Sequence, residues 1–442
     1  MPAKRSGSRR PQRWAEWITR ARAAQLAVGT GLVLVAVLAY ANLASSERKV
    51  EHPIPHRYDT SDAQFVRTMG GLLGPDVVGG NRVTTLRNGD EVFPAMLAAI
   101  RSARRTITFE SYIYWSSDIA REFTAALVER ARAGVRVHVM LDWAGSQKAD
   151  PGDLEHLRQA GVDVVWYRPL RWYDLDRVNH RTHRKLLIVD GHTGFTGGVG
   201  IADQWLGHGQ DRDHWRDSQF GVEGPVVAQL QAAFMDDWFE ATGAVLDGPG
   251  YFPDLEPAGA ARAQVFRSSP AGGNGDLRLM FLLAIASASH RILIANSYFV
   301  PDRMTVAMLV EARRRGVDVE IIVPGPILDA QMVRRASRAM WGPLLEAGAR
   351  IYEYQPTMYH TKVMVVDDVW VSVGSANLDD RSFRLNQEAN LNVFDPTFGT
   401  DQARVFAEDR ARSRRITLEE WRGRSIWERV QERFAGVLRK QL

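Results

Sequence analysis

At 442 residues the chain is long enough for one large core or two ordinary ones. Its 45% hydrophobic and 24% charged content describe an ordered globular protein, and the absence of cysteine excludes disulfides, thiolate nucleophiles and Cys-ligated zinc. The net charge of +4 is carried by residues 1–22, with seven Lys or Arg against one Glu, so the remainder is net negative and bulk charge gives a nucleic-acid groove no support.

The basic tail runs into residues 23–44, which are uncharged and long enough to cross a bilayer as a helix. An Arg-rich segment ahead of such a run stays on the cytoplasmic side, which predicts a single-pass anchor. A cleaved signal peptide, with Ala39-Tyr40-Ala41 as its A-x-A site, is the alternative.

Beyond the anchor the chain repeats itself. Ala99–Tyr112 and Ala284–Tyr298 each read as a helix end followed by a strand ending in Ser-Tyr. Gly134–Leu141 matches Gly316–Val323, and Ala160–Pro169 matches Ala347–Pro356. Between Pro169 and His183 the first copy carries an insertion, Leu170–Thr182, with Arg171, Trp172, Tyr173 and Arg177. A long loop there is expected to line the site. Helical patterns alternate with β-branched runs in both copies, so each half reads as an α/β layer structure. The Gly- and Pro-rich stretch Gly243–Gly259 divides them.

The pattern His-x-Lys-x4-Asp occurs once in each half, as His183, Lys185 and Asp190, then as His360, Lys362 and Asp367. Each copy is followed by small residues: Gly197-Gly198 in the first, Gly374-Ser375-Ala376-Asn377 in the second. The chain is rich in Arg and has six lysines, yet both patterns take Lys, a compact point charge where Arg is a planar fork. Lys185–Asp190 and Lys362–Asp367 read as buried strands, on which His and Lys two apart share a face. Two halves that each bring half a site suggest packing about a pseudo-two-fold axis, with one phosphate meeting both histidines and both lysines.

These residues resemble the phospholipase D superfamily, which two HxK(x)4D motifs define, and within it the bacterial cardiolipin synthases. The synthase flavour rests on Phe109–Tyr114, Asn179–Lys185, Trp215-Arg216-Asp217 and Tyr298–Asp302, and the likeness spans about residues 80 to 400. It implies two homologous α-β-α sandwich halves with the site at their interface. The organisation expected is an anchor segment (1–50), a first half (51–250), a second half (251–400) and a C-terminal helical segment (401–442). The implied activity is transfer of a phosphatidyl group to a lipid hydroxyl such as that of phosphatidylglycerol, through a phosphohistidine and without a metal or other cofactor. A hydrolase releasing phosphatidic acid, or a nuclease, is the alternative. The partners implied are phospholipids and a membrane, not nucleic acid. The place expected is the bacterial cytoplasmic membrane, where the seven basic residues ahead of the apolar run keep the N-terminus inside and put the catalytic part on the outer face.

The candidate catalytic set is His183, Lys185, Asp190, His360, Lys362 and Asp367. Asp190 and Asp367 stand at strand ends, where they hold local structure rather than touch substrate. His183 is assigned as nucleophile and His360 as general acid/base. Ser375, Asn377 and Gly198 are candidate phosphate donors, although the first half lacks the Asn and reads Gly197-Gly198-Val199-Gly200. Each imidazole needs a carboxylate on its second nitrogen. Within each half the candidates are Asp217 for His183 and Glu388 for His360. Glu110 and Asn296 occupy matching strand ends and are read as structural or pocket-lining. His138 reads as a core histidine. His180, His192, His208 and His214 show no repeated ligand spacing, which disfavours zinc. Near the C-terminus, Ile426, Trp427, Val430, Phe434, Val437 and Leu438 share one helical face among Arg429, Arg433, Arg439 and Lys440. That face either packs on the domain or lies on anionic lipid.

Overall fold

The computed structural model describes residues 22, 25–34, 50–170, 179–269 and 276–437. The chain divides into two units, residues up to Glu47 and residues from Arg48 onward. In the first, residues 25–34 are helical and exposed. Among the described residues no helix is long and apolar enough to cross a membrane. The rest of the 23–44 run lies outside them, as do Arg171, Trp172, Tyr173 and Arg177 of the insertion.

The second unit is built on one large mixed sheet. The first half supplies β1 (Val78–Arg87), β2 (Thr106–Ser111), β3 (Arg136–Asp142), β4 (Asp163–Tyr167), β5 (Arg181–Thr182), β6 (Leu186–Val189), β7 (Thr193–Gly197) and β8 (Ser218–Glu223). The second half supplies β9 (Ala261–Ser268), β10 (Arg291–Asn296), β11 (Asp318–Pro324), β12 (Arg350–Tyr354), β13 (Lys362–Val366), β14 (Trp370–Gly374), β15 (Asn386–Phe394) and β16 (Ser413–Ile416). The order across the sheet is β16-β12-β11-β10-β13-β14-β15-β9-β1-β8-β7-β6-β2-β3-β4. Leaving out the edge strand β16, this order reads the same from either end once each strand is exchanged for its counterpart. The halves meet where β1 pairs antiparallel with β9. Within each half three strands run parallel, β2-β3-β4 and β10-β11-β12, joined by helices. Asp118–Arg132 is one such helix; the Ser117 hydroxyl accepts from the Ala120 N–H and caps it.

The motif strands lie mid-sheet and are covered on both faces, which is why they read as unbroken apolar runs. Leu186 and Ile188 of β6 enter a core shared with Val363 and Val365 of β13. Leu187 and Val189 enter the first half's outer core, and Met364 and Val366 the second's. Burying each such side chain contributes about 1.5–3 kcal/mol, so β6 and β13 are rigid mounts for what they carry.

Two segments depart from the expected division. The helix Ala63–Leu73, placed with the first half by chain order, packs on the second: the Phe65 ring lies 6.3 Å from Trp370 and 5.9 Å from Phe394. Apolar contact, not chain order, decides where a helix docks. The C-terminal segment is not wholly helical, because β16 pairs with β12 along the sheet edge.

Candidate active site

The residues leading into β6 and β13 cross between the halves. β5, just before His183, pairs with β15 of the second half, and the His183 N–H donates to the Gln387 carbonyl at 2.9 Å. Reciprocally, Tyr359 bridges to Arg216, and the His360 N–H donates to the Arg216 carbonyl at 2.8 Å. Each histidine therefore lies beside the carboxylate of the other half. His183 Nδ1 is 3.1 Å from both oxygens of Glu388, and His360 Nδ1 is 2.7 Å from Asp217 Oδ2. The expected pairing within each half is thus reversed, because the backbone ladders at the interface run between halves.

Both carboxylates are held from behind. Glu388 accepts from Ser375 Oγ at 2.5 Å and Ser382 Oγ at 2.8 Å. Asp217 accepts from Trp205 Nε1 at 2.9 Å and from the Ser218 N–H at 2.8 Å. Burial works to raise both, but His183 and Ser375 hold Glu388, and His360 and Lys362 hold Asp217, below the usual carboxylate range. Both stay ionised.

Lys185 and Lys362 are buried beside the imidazoles, each donating from Nζ to the carbonyl of its own histidine at 2.7 Å. Burial, with Lys362 adding to it, pushes Lys185 down to about 7, and burial pushes Lys362 down to about 8. Burial also lowers His183 to about 4, with Lys185 and Lys362 adding to it and Glu388 opposing. His360 is lowered by burial and then by Lys362. His183 is therefore neutral near pH 7, and its Nδ1–H donates to Glu388, leaving the Nε2 lone pair free. Burial disfavours both ammonium groups, and the negative charge of a bound phosphodiester would favour them.

His183, Lys185, His360 and Asn377 line one cavity of about 440 Å³. Of the expected phosphate donors, Asn377 alone does so. Ser375 is fully buried and spends its hydroxyl on Glu388. Gly198 makes room: a Cβ there would stand 2.3 Å from Asp217 Oδ1. The missing first-half Asn also has a cause. A Cβ on Gly200 would meet the Trp205 ring at 3.0 Å, so that indole fills the space and supplies the N–H on Asp217. The halves remain unequal. Lys362 donates to Ser297 Oγ at 2.9 Å, and Ser297 donates to Asn377 Oδ1 at 2.8 Å.

Asp190 and Asp367 point away from this cavity, at the far ends of their strands. Each sits at φ +52°, and each carboxylate accepts three backbone N–H groups: Arg104, Arg105 and Thr106, or Ser289, His290 and Arg291. They hold the start of the neighbouring strand. Glu110 accepts from Thr182 Oγ1, and Asn296 Oδ1 accepts from the Leu378 N–H at 3.1 Å; both are buried structural groups. His138 is a core histidine, its Nε2 2.7 Å from the Tyr251 hydroxyl.

The cavity also takes residues that were not among the candidate site residues. Tyr112 and Tyr298, the repeated strand-end tyrosines, have ring centroids 5.1 Å from His183 and 6.3 Å from His360. Their matched places in the repeat were the available signal. Asp379, which burial pushes up to about 7, and Arg381 complete one wall, and nothing in their spacing announced them.

The family described as "Cardiolipin synthase, PLD-like domain" matches residues 96–238 and again residues 281–410, one match in each half. The chain belongs to this family of phospholipase D-like phosphatidyltransferases. It is 36% identical over 387 residues to cardiolipin synthase 1 of Bacillus cereus, covering 85% of this chain and 75% of that one. Identity to cardiolipin synthase A of Pseudomonas fluorescens is 37% over 374 residues, 84% of this chain and 78% of that one. In fold it is similar to the crystal structure of phosphatidylserine synthase from Haemophilus influenzae, with a TM-score of 0.66, 15% identity, and coverage of 86% of this chain and 100% of that one.

Proposed function

We propose that the site joins a phosphatidyl group to a hydroxyl of phosphatidylglycerol, forming cardiolipin in two in-line displacements. The observation that carries this reading is the convergence of two imidazoles and the Lys185 ammonium on one cavity, with Lys362 Nζ 3.3 Å from the His360 ring nitrogens and each imidazole tied to a carboxylate of the opposite half. In the first step His183 Nε2 attacks phosphorus, the P–O bond to the leaving alcohol breaks, and His360 Nε2–H protonates that alcohol. The imidazole becomes cationic as the P–N bond forms, and Glu388 opposes that charge. In the second step the incoming lipid hydroxyl gives its proton to His360 and attacks phosphorus, and the P–N bond breaks. Lys185 and Lys362 carry the positive charge that the five-coordinate phosphorane demands, so the step has no need of a metal. With phosphatidylglycerol as both donor and acceptor the products are cardiolipin and glycerol.

His183 Nδ1–H is taken up by both oxygens of Glu388, which leaves Nε2 free to attack and supports the nucleophile assignment; His360, lowered by burial and Lys362, gains its proton when the phosphodiester's negative charge enters the site. Labelled substrate and rapid acid-free quenching test it: label is expected on His183, and label on His360 would reverse the roles.

Residues 51–250 and 251–400, with Ala63–Leu73 docked on the second half, supply the two half-sites in this reading. The tail and the 23–44 run act as an N-terminal membrane anchor, supported by seven basic residues before an uncharged stretch. The N-terminus is then inside the bacterial cytoplasmic membrane and the catalytic unit outside. A C-terminal reporter active only in the cytoplasm would refute that placement.

A further inference from the structure

The helix Ile426–Val437 turns its apolar face outward. Ile426 is 81% exposed, Trp427 68%, Val430 50% and Phe434 62%. At 100° per residue these four fall within about 100° of arc, one continuous stripe. The opposite side is the one fixed to the protein. Ala435 is buried in a small cluster with Val300, Val333 and Ala336, and the buried Glu432 pairs with Arg338 at 3.2 Å and with Arg424. The helix is thus held in place by its small and acidic residues while its large apolar ones are left to water. Packing on the domain does not account for this stripe.

Two observations say what covers it. Arg429 and Arg433 are exposed and border the stripe, and residues 421–442 hold six basic residues against two acidic ones. An indole and a phenyl ring edged by guanidinium groups suit the boundary between acyl chains and anionic headgroups. The stripe is also joined to the catalytic cavity through one helix. Gln331–Ala339 packs against Ile426–Val437 through Val333 and Ala336, and Val333, with Asp329 and Ala330 just ahead of it, lines that cavity.

We infer that the face formed by Ile426, Trp427, Val430 and Phe434 docks on an anionic phospholipid bilayer and brings the cavity to its lipid substrates. This rests on the lipid reading of the site, and the test separates the two. Full-length wild type and the variant Trp427→Ser/Val430→Ser/Phe434→Ser are compared on phosphatidylglycerol vesicles and on a short-chain phosphatidylglycerol dissolved as monomer. All three positions are exposed and none lines the cavity. The variant is expected to lose at least about tenfold in turnover on vesicles and to match wild type on the monomeric lipid, as the loss of interfacial apolar anchors requires. Bromine on the vesicle acyl chains should quench an emission component that is absent from Trp427→Phe. Equal vesicle turnover by wild type and variant, or no quenching assigned to Trp427, would overturn the docking face. Loss of a wild-type dimer in the variant would hand the stripe to a second copy and overturn it as well. Wild type inactive on both forms of lipid would remove the lipid reading beneath it.

Discussion

Replacing Glu388 by Gln tests the crossed site with the least change of shape. In the wild-type arrangement His183 Nδ1–H faces two carboxylate oxygens at 3.1 Å. At that separation and an effective dielectric of about 20, a carboxylate and an imidazolium attract by on the order of 5 kcal/mol. His183 carries that positive charge only once the P–N bond forms, so the attraction favours the transition state over the ground state. An amide keeps an acceptor for Nδ1–H and loses the charge. A net loss of about 3 kcal/mol corresponds to roughly a hundredfold slower phosphoryl transfer. Single-turnover quench-flow on labelled lipid gives that rate, and ¹⁵N spectra of the imidazoles report which ring feels the change. Glu388→Gln is expected to slow formation of the phosphohistidine and to move the His183 resonances; Asp217→Asn is expected to move those of His360. If Glu388→Gln moves His360 and spares His183, the pairing lies within each half and the crossed arrangement is wrong.

Other outcomes follow from the same geometry. Gly198→Ala places a methyl 2.3 Å from Asp217 Oδ1, so the carboxylate must swing away from His360; kcat should fall at least about tenfold with the fold retained, and a wild-type kcat would contradict the close approach. Asp190→Ala and Asp367→Ala each strip the partner from three backbone N–H groups and should cost about 2 kcal/mol, read as a lower midpoint of thermal unfolding, while the folded fraction keeps its kcat. Inorganic phosphate should bind with proton uptake. Lys185 and Lys362 are depressed to about 7 and 8 in the free site, and an anion favours their charged forms, so affinity rises as pH falls through that range and is lost above it. Calorimetry in buffers of different ionisation enthalpy measures the uptake, and none at pH 8 would oppose the assignment. Activity should survive EDTA, since the lysines supply the charge that a metal would; loss restored by zinc or magnesium would refute this.

What could be read from the chain alone divides by the range of the interaction. His183, Lys185, His360 and Lys362 were legible because their spacing along a strand is local and occurs twice. The structural role of Asp190 and Asp367 was legible too, since a carboxylate at a strand end is placed to collect free N–H groups of the neighbouring strand. The carboxylate partners were misassigned. His183 and Glu388 are 205 positions apart, and only the pairing of β5 with β15 brings them together. The role of Gly200 was equally hidden, because it is set by the Trp205 ring packed over it. Periodicity placed Ile426, Trp427, Val430 and Phe434 on one helical face, with Leu438 outside the described residues, but did not show that Glu432 and Ala435 take the inner side.

One composite site transfers the phosphatidyl group to a lipid hydroxyl in this mechanism. This is tested most directly by the products that purified full-length protein forms on phosphatidylglycerol vesicles in ¹⁸O-labelled water. Cardiolipin and glycerol are expected in equal amounts, with no ¹⁸O in the cardiolipin phosphates and loss of both products in His183→Ala and in His360→Ala. Phosphatidic acid carrying ¹⁸O as the sole lipid product would make the site a hydrolase, and undiminished cardiolipin formation by either histidine variant would contradict the composite site.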